Sequence, residues 1–233
     1  MRAIKAKQLL SQSMNYKVLA IVAVLSTGWV FGCEQAAPVA NKPMELTDLP
    51  QFKAKRTMDK SEFWRIIDFA YQHAQGDSQL QETLLIKGLE QHSAADIVEF
   101  ECLLRQIIID ADDFKVMAAE KIIEGSVSDD SFLYFRCWLI GQGEQIFTEA
   151  LRNPDSLSTI VTEETTTDFE LLLYVATQTY QYQTGKGKED DSFPRNVAAK
   201  RGLDYDFGSQ TKGQDWTPEQ LPMLLPKLWG KFQ

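Results

Sequence analysis

Five residues between positions 129 and 138 hold the side chains best able to do chemistry in this sequence: Asp129, Asp130, Tyr134, Arg136 and Trp138, within SVSDDSFLYFRCWLIGQG at 126–143. Two carboxylates could polarise or deprotonate a bound group, a guanidinium could hold an anion, and the aromatic rings could shape a pocket around either. The same residue types also describe a helix end. Ser128 is a good N-cap, and acids in the first turn complement the helix dipole by about 0.3–1 kcal/mol each. Phe132, Phe135, Trp138 and Leu139 then recur at helical spacing as a face to bury. Arg136 is the residue least needed by that structural reading. The adjacent carboxylates point in different directions on a helix, so Asp129 and Asp130 would not flank one bond. Both readings are open at this point: a helix packed into a core, or a ligand site.

No other constellation competes with it. His73 and His92 lie on separate elements with no Cys or His at ligand spacing, so no metal is expected. GKGKED at 185–190 lacks the strand and the Lys-Ser/Thr ending of a phosphate loop, and no G-x-S-x-G elbow occurs. DADD at 110–113 lacks EF-hand spacing and reads as a solvated helix junction. No cofactor is expected, and catalysis is the lesser expectation.

The N-terminal segment carries a different signal. Arg2, Lys5, Lys7 and Lys17 are the charged residues of positions 1–32, where no acid occurs. VLAIVAVLSTGWVFGC at 18–33 has the length of a signal-peptide apolar region and is short for a membrane span of about 20 residues. Met14 offers a second start. Val30-Phe31-Gly32-Cys33 resembles the lipobox of bacterial lipoproteins, although Phe31 is bulky for its place. That resemblance implies cleavage before Cys33 and lipidation of Cys33, so that the chain would be anchored on a membrane of the cell envelope. Several acyl chains, at about 0.8 kcal/mol per buried CH₂, suffice for stable anchoring. Glu34 stands where an aspartate often marks inner-membrane retention, which points to the outer membrane in a double-membrane bacterium. The expected division is a signal peptide over 1–32, a flexible proline-bearing tether over 33–56 and a folded domain over 57–233.

Without residues 1–32 the chain holds 20 basic and 33 acidic residues, a net charge of −13. So acidic a body argues against nucleic acid as a partner. The partners expected are the membrane, through Cys33, and a protein. Cys102 and Cys137 could pair in an oxidising compartment or remain buried thiols.

The domain reads as all-α, a compact arrangement of about six to eight helices with a long polar loop and short proline-rich helices at the C-terminus. Asp59 with Glu62 opens a helix whose stripe is Phe63, Ile66, Ile67, Ala70 and Ala74. Gly76-Asp77 breaks that helix, Leu80, Leu84 and Leu85 open a second, and Ser93 with Asp96, Asp112 or Asp113, and Ser128 start three more. Gly88 and Gly125 mark ends. A further helix carries Ile146, Phe147, Ala150 and Leu151, and Asn153-Pro154 sets a turn in which Asp155 or Ser156 caps the next element. Thr167 with Glu170 opens a helix through Phe169, Leu172, Ala176 and Tyr180. Residues 185–215 read as a loop or partly ordered arm, and TPEQ at 217–220 as a cap.

FW at 63–64, the core at 128–143, NPDSL at 153–157, YVA at 174–176 with Tyr180, and LPKLW at 225–229 together resemble the DUF4240 family, a bacterial domain of unknown function. The resemblance spans roughly 58–232. The Leu-Trp-Ala-Ala-like segment usual before the core is Val116-Met117-Ala118-Ala119 here, and the usual glycine doublet is Gly125 alone. The family implies a fold and carries no established reaction. Two functions are expected from these features: a membrane-tethered, non-catalytic interaction module, or a hydrolase or small-ligand binder using Asp129, Asp130 and Arg136.

Overall fold

Each helix starts where a short polar side chain can satisfy amide groups that have no partner within the helix. In the computed structural model, which describes residues 49–205 and 210–233, Asp59 accepts from the Glu62 amide at 2.8 Å to open α1 (Lys60–Ala74). Asp77 accepts from Gln79 and Leu80 to open α2 (Ser78–Leu89). Ser93 and Asp96 form a reciprocal capping box on α3 (Ala94–Asp110), and Asp96 also takes the Met58 amide at 2.8 Å. Asp113 opens α4 (Phe114–Glu124), which ends at Gly125 with φ +73°. Ser128 and Ser131 cap α5 (Asp129–Gly141). Then come α6 (Glu144–Arg152), α7 (Val175–Thr184), α8 (Pro194–Lys200), α9 (Leu221–Leu224) and α10 (Pro226–Phe232). Short 3-10 turns occupy 154–159, 170–173 and 218–220. The domain is all-α; among the described residues the one β feature is an isolated bridge between Asp113 and Lys212.

α3 and α5 are the inner helices. α3 packs against α1, α5, α7 and α8, and α5 packs against α1, α3, α4, α6 and the 170–173 turn. Phe63, Phe100, Phe135, Phe193 and a set of isoleucines and leucines fill the core. At roughly 1.5–3 kcal/mol for each large apolar side chain buried, this interior is the main force that holds the helices together. Two glycines set close approaches. A Cβ on Gly88 would meet Ile66 Cγ2 at 3.3 Å, so this glycine lets α2 lie against α1. Gly143 opens α6 at φ +93°, and a Cβ there would fall 2.5 Å from Asp68 Oδ1, which accepts the Glu144 amide at 2.9 Å.

The structure corrects several expectations. The segment before residue 57 is no mere tether: Phe52 is buried and Leu49 packs on the same core, so the folded domain reaches back to at least Leu49. Gly88 stands at the end of α2 as read, one residue before the last, Leu89, and it also serves packing. Glu62 does not reach back to its cap; it is fully buried and binds Arg65 at 2.6 and 2.9 Å. Asp112 is buried rather than solvated. The helix expected from Thr167 begins later: Asp168 takes the Glu170 amide, a 3-10 turn comes next, and α7 starts at Val175. Residues 185–215 contain α8, which packs on α3 with Phe193 and Ala198 buried. Near the C-terminus, Trp229 and Phe232 pack on the core.

Asp155 caps no neighbour. It is buried and accepts from the amides of Lys227 and Leu228 at 2.9–3.2 Å, joining the 154–159 turn to the start of α10. Asp155→Ala leaves these amides without an acceptor, at a cost of about 1–3 kcal/mol. Urea unfolding followed by circular dichroism is expected to show that loss, with Asp155→Asn keeping part of the stability; no loss in either variant would show that the contact contributes nothing.

Candidate functional site

The helix-end reading of Asp129 and Asp130 is half of what the structure shows. The cap itself is made by serines: the Ser131 amide donates to Ser128 Oγ at 3.1 Å and the Ser128 amide to Ser131 Oγ at 2.8 Å. Asp129 and Asp130 are exposed in the first turn and act there through their charge.

From Asp130 a stripe of side chains runs along α5 at four-residue intervals, through Tyr134 and Trp138. The segment 161–169 crosses this stripe. The Phe169 amide donates to the Tyr134 carbonyl at 3.3 Å, and Gly141 leaves room for the Phe169 ring, since a Cβ there would fall 2.9 Å from it. Gln81 Nε2 donates to the Gly141 carbonyl at 2.7 Å. Two clefts open on either side of the crossing, both bordered by Glu164, Thr165, Thr166 and Asp168. One, of about 370 Å³, is lined by Tyr71, Gln81, Trp138, Gln142 and Phe169. The other, of about 500 Å³, lies between α4, the start of α5 and the crossing segment. Its charged lining is Glu120, Glu124, Asp130, Glu163, Glu164 and Asp168, with no basic residue. Tyr134 and several hydroxyls complete it.

Arg136 lies elsewhere. It is buried, with Nη1 donating to the Ile108 carbonyl at 3.2 Å, Nε to the Phe132 carbonyl at 3.3 Å, and Nη1 3.8 Å from Asp112 Oδ2. Its guanidinium also sits 4.7 Å from the Phe132 ring centre. It serves the last turn of α3, where a cation meets carbonyls without helical partners. The five residues expected from the sequence are therefore divided. Asp130, Tyr134 and Trp138 share the stripe under the crossing segment, Asp129 stands beside it on the surface, and Arg136 is inside.

Glu120 is the residue that sequence reasoning missed. It is 1% exposed, and neither carboxylate oxygen has a hydrogen-bond partner. The Ser131 hydroxyl, the nearby group that would favour ionisation, gives its single proton to the Ser128 carbonyl at 3.2 Å. Burial, and next the charge of Glu124, push the Glu120 carboxyl up to about 7, against the pull of Ser131 and Arg136. Glu124 itself accepts a hydrogen bond from the Thr167 hydroxyl, which fastens the crossing segment to α4. The Tyr134 phenol is also raised, by burial and by the charges of Glu170, Asp130 and Asp168. A sequence signal for Glu120 existed: it interrupts the apolar positions Val116, Ala119, Ile122 and Ile123 of α4, where an acid has no place in a plain core stripe.

Cys102 and Cys137 are free thiols, both buried, and burial pushes the Cys137 thiol up, which keeps it unreactive. Among the described residues no three His, Cys, Asp or Glu are grouped to hold a metal, and no helix is long and apolar enough to cross a membrane. Cys33 and the segment 1–32 lie outside the described residues.

Two variants separate these roles. Glu120 holds its proton in the folded protein up to about pH 7, against 4.5 as its ordinary value. Folded protein therefore binds more protons than unfolded between these limits, and stability falls as pH rises through the window, by on the order of 3 kcal/mol. Thermal unfolding of Glu120→Gln should show a gain over the parent at pH 8 that shrinks toward pH 5; a difference independent of pH would contradict the assignment. Arg136→Leu leaves Asp112 and the Ile108 carbonyl uncompensated and is expected to lose about 3 kcal/mol in urea unfolding. A stable Arg136→Leu would mean that its contacts inside α3 are dispensable.

No curated protein and no solved structure matches the chain. The family described as "Protein of unknown function (DUF4240)" matches residues 58–182, from the turn before α1 almost to the end of α7 and so across both clefts. That stretch is more than half of the 233 residues, and the chain belongs to the DUF4240 family.

Proposed function

We propose that this protein is a lipoprotein, held on a membrane of the cell envelope through Cys33, and that its helical domain is a non-catalytic interaction module. The anchoring rests on the acid-free N-terminal segment and the Val30-Phe31-Gly32-Cys33 sequence. The observation that carries the recognition role is the 500 Å³ cleft, in which carboxylates from α4, α5 and the crossing segment face a common space with no basic residue among the lining. Carboxylates of one sign, borne on three elements, form a field that selects and steers a positively charged partner. A second reading, a hydrolytic or small-ligand site, draws support from Glu120, a carboxyl held near neutrality beside ionisable neighbours. Arg136 gives that reading no help from its buried place.

Native mass spectrometry of the protein extracted from membranes in mild detergent tests the anchoring. A mass that begins at Cys33 and includes acyl chains, lost in Cys33→Ser, is expected; a mass retaining residues 1–32 without lipid would overturn it. A protein that co-purifies with the parent and is lost in Asp130→Lys, with the helical spectrum unchanged, would support the interaction role. A reproducible small-molecule mass in place of a protein would favour the second reading.

A further inference from the structure

A cluster of acids is commonly no more than a solvated face. Here one member is different. Glu120 lines the cleft, is 1% exposed, and has both oxygens without a partner. Other buried acids of the domain are met from within. Glu62 binds Arg65, Glu101 binds Arg105, Asp112 has Arg136, and Asp155 has the amides of α10. A buried carboxylate left unmatched costs free energy unless something supplies the missing charge. Nothing on α4 does so, where the neighbouring charge is Glu124. On α5 the charge felt is Arg136, which is engaged with α3, and the crossing segment adds Glu163, Glu164 and Asp168 to the same cleft.

Resting on the interaction reading above, we propose that the cleft between α4, α5 and the 161–169 segment is a binding site for an alkylammonium group, whose charge Glu120, Glu124 and Asp130 meet together. An ammonium on a flexible chain suits this lining better than a metal ion does. It is a compact charge with three N–H donors, each of which can give a hydrogen bond to a carboxylate of α4 or α5. A divalent cation needs several oxygens converged on one point, and among the described residues no three acids are so grouped. The Tyr134 ring adds a face on which an ammonium can rest. The hydroxyls of Ser126, Ser128 and Thr165 line the same space and can accept its remaining N–H groups. The ammonium has two sources, a free polyamine or a lysine side chain of a partner protein, and the chemistry of the site is common to both.

Isothermal titration calorimetry of the full chain in a neutral detergent, with spermidine and separately with the tripeptide acetyl-Ala-Lys-Ala-amide, tests this. Binding is expected to strengthen between pH 6 and pH 8. Glu120 loses its proton through that interval while the amine keeps its own to about pH 10. Glu120→Gln should remove most of the pH dependence. Asp130→Asn, a surface change that leaves the core alone, should weaken binding on the order of tenfold. Glu149→Gln, an exposed acid of α6 paired with Arg152, is the control and should bind as the parent does. Equal weakening in Glu149→Gln, tighter binding of Mg²⁺ than of either amine, or no amine binding at all would each overturn the site. Binding of spermidine but not of the tripeptide would keep the amine site and sink the protein-interaction reading. Binding of the tripeptide keeps both.

Discussion

The burial of α5 on nearly every side is the constraint on which the rest of the structure depends. From Phe132 to Gly141 every residue but Tyr134 is buried. A helix apolar around its whole circumference must be enclosed by other elements. The 170–173 turn, α3, α1, α6 and α4 together enclose it. The segment 161–169 then has to cross the stripe bearing Tyr134 and Trp138, and the two clefts are the spaces its crossing leaves open.

Charge placement obeys the same constraint. The sole charged side chain in the buried length of α5 is Arg136, so carbonyls of α3 and α5, a carboxylate and a ring all have to serve it. Its positive charge is spent inward. The outer end of α5, where the helix dipole is positive, gathers the acids instead. Glu120 falls between these two regions. It feels Arg136 at a distance, sits next to Glu124, and hydrogen-bonds with neither.

The use of other acids makes Glu120 the more distinct. Asp112 and Asp155 tie together segments far apart in the chain, Glu62 holds the nearby Lys55 amide and Arg65, and each is matched in the folded state. Such matched contacts define one packing of the helices, since breaking any of them leaves a buried charge or amide exposed to no partner. An acid that is equally buried but unmatched contributes nothing of that kind. Its retention next to an open cleft makes sense if what it serves arrives from outside.

The helices and their starting points were legible in the sequence, because caps and the period of 3.6 are local signals. Asp59, Ser93, Asp113 and Ser128 each open a helix as read, with the choice between Asp112 and Asp113 settled by geometry, while Asp77, read as a break, is itself the cap of α2. α8 was missed because seven residues carry too little periodicity, although Pro194 at its first position was a usable sign. The site was legible in part. The four-residue spacing of Asp130, Tyr134 and Trp138 puts them on one face whatever the fold. That Arg136 turns inward, that Asp155 serves a helix 72 residues away, and that Glu120 joins acids of the 163–168 stretch were decided only by tertiary structure. These depend on which surfaces meet once the apolar faces are buried, and burial is a property of the packed chain that no local run of residues contains.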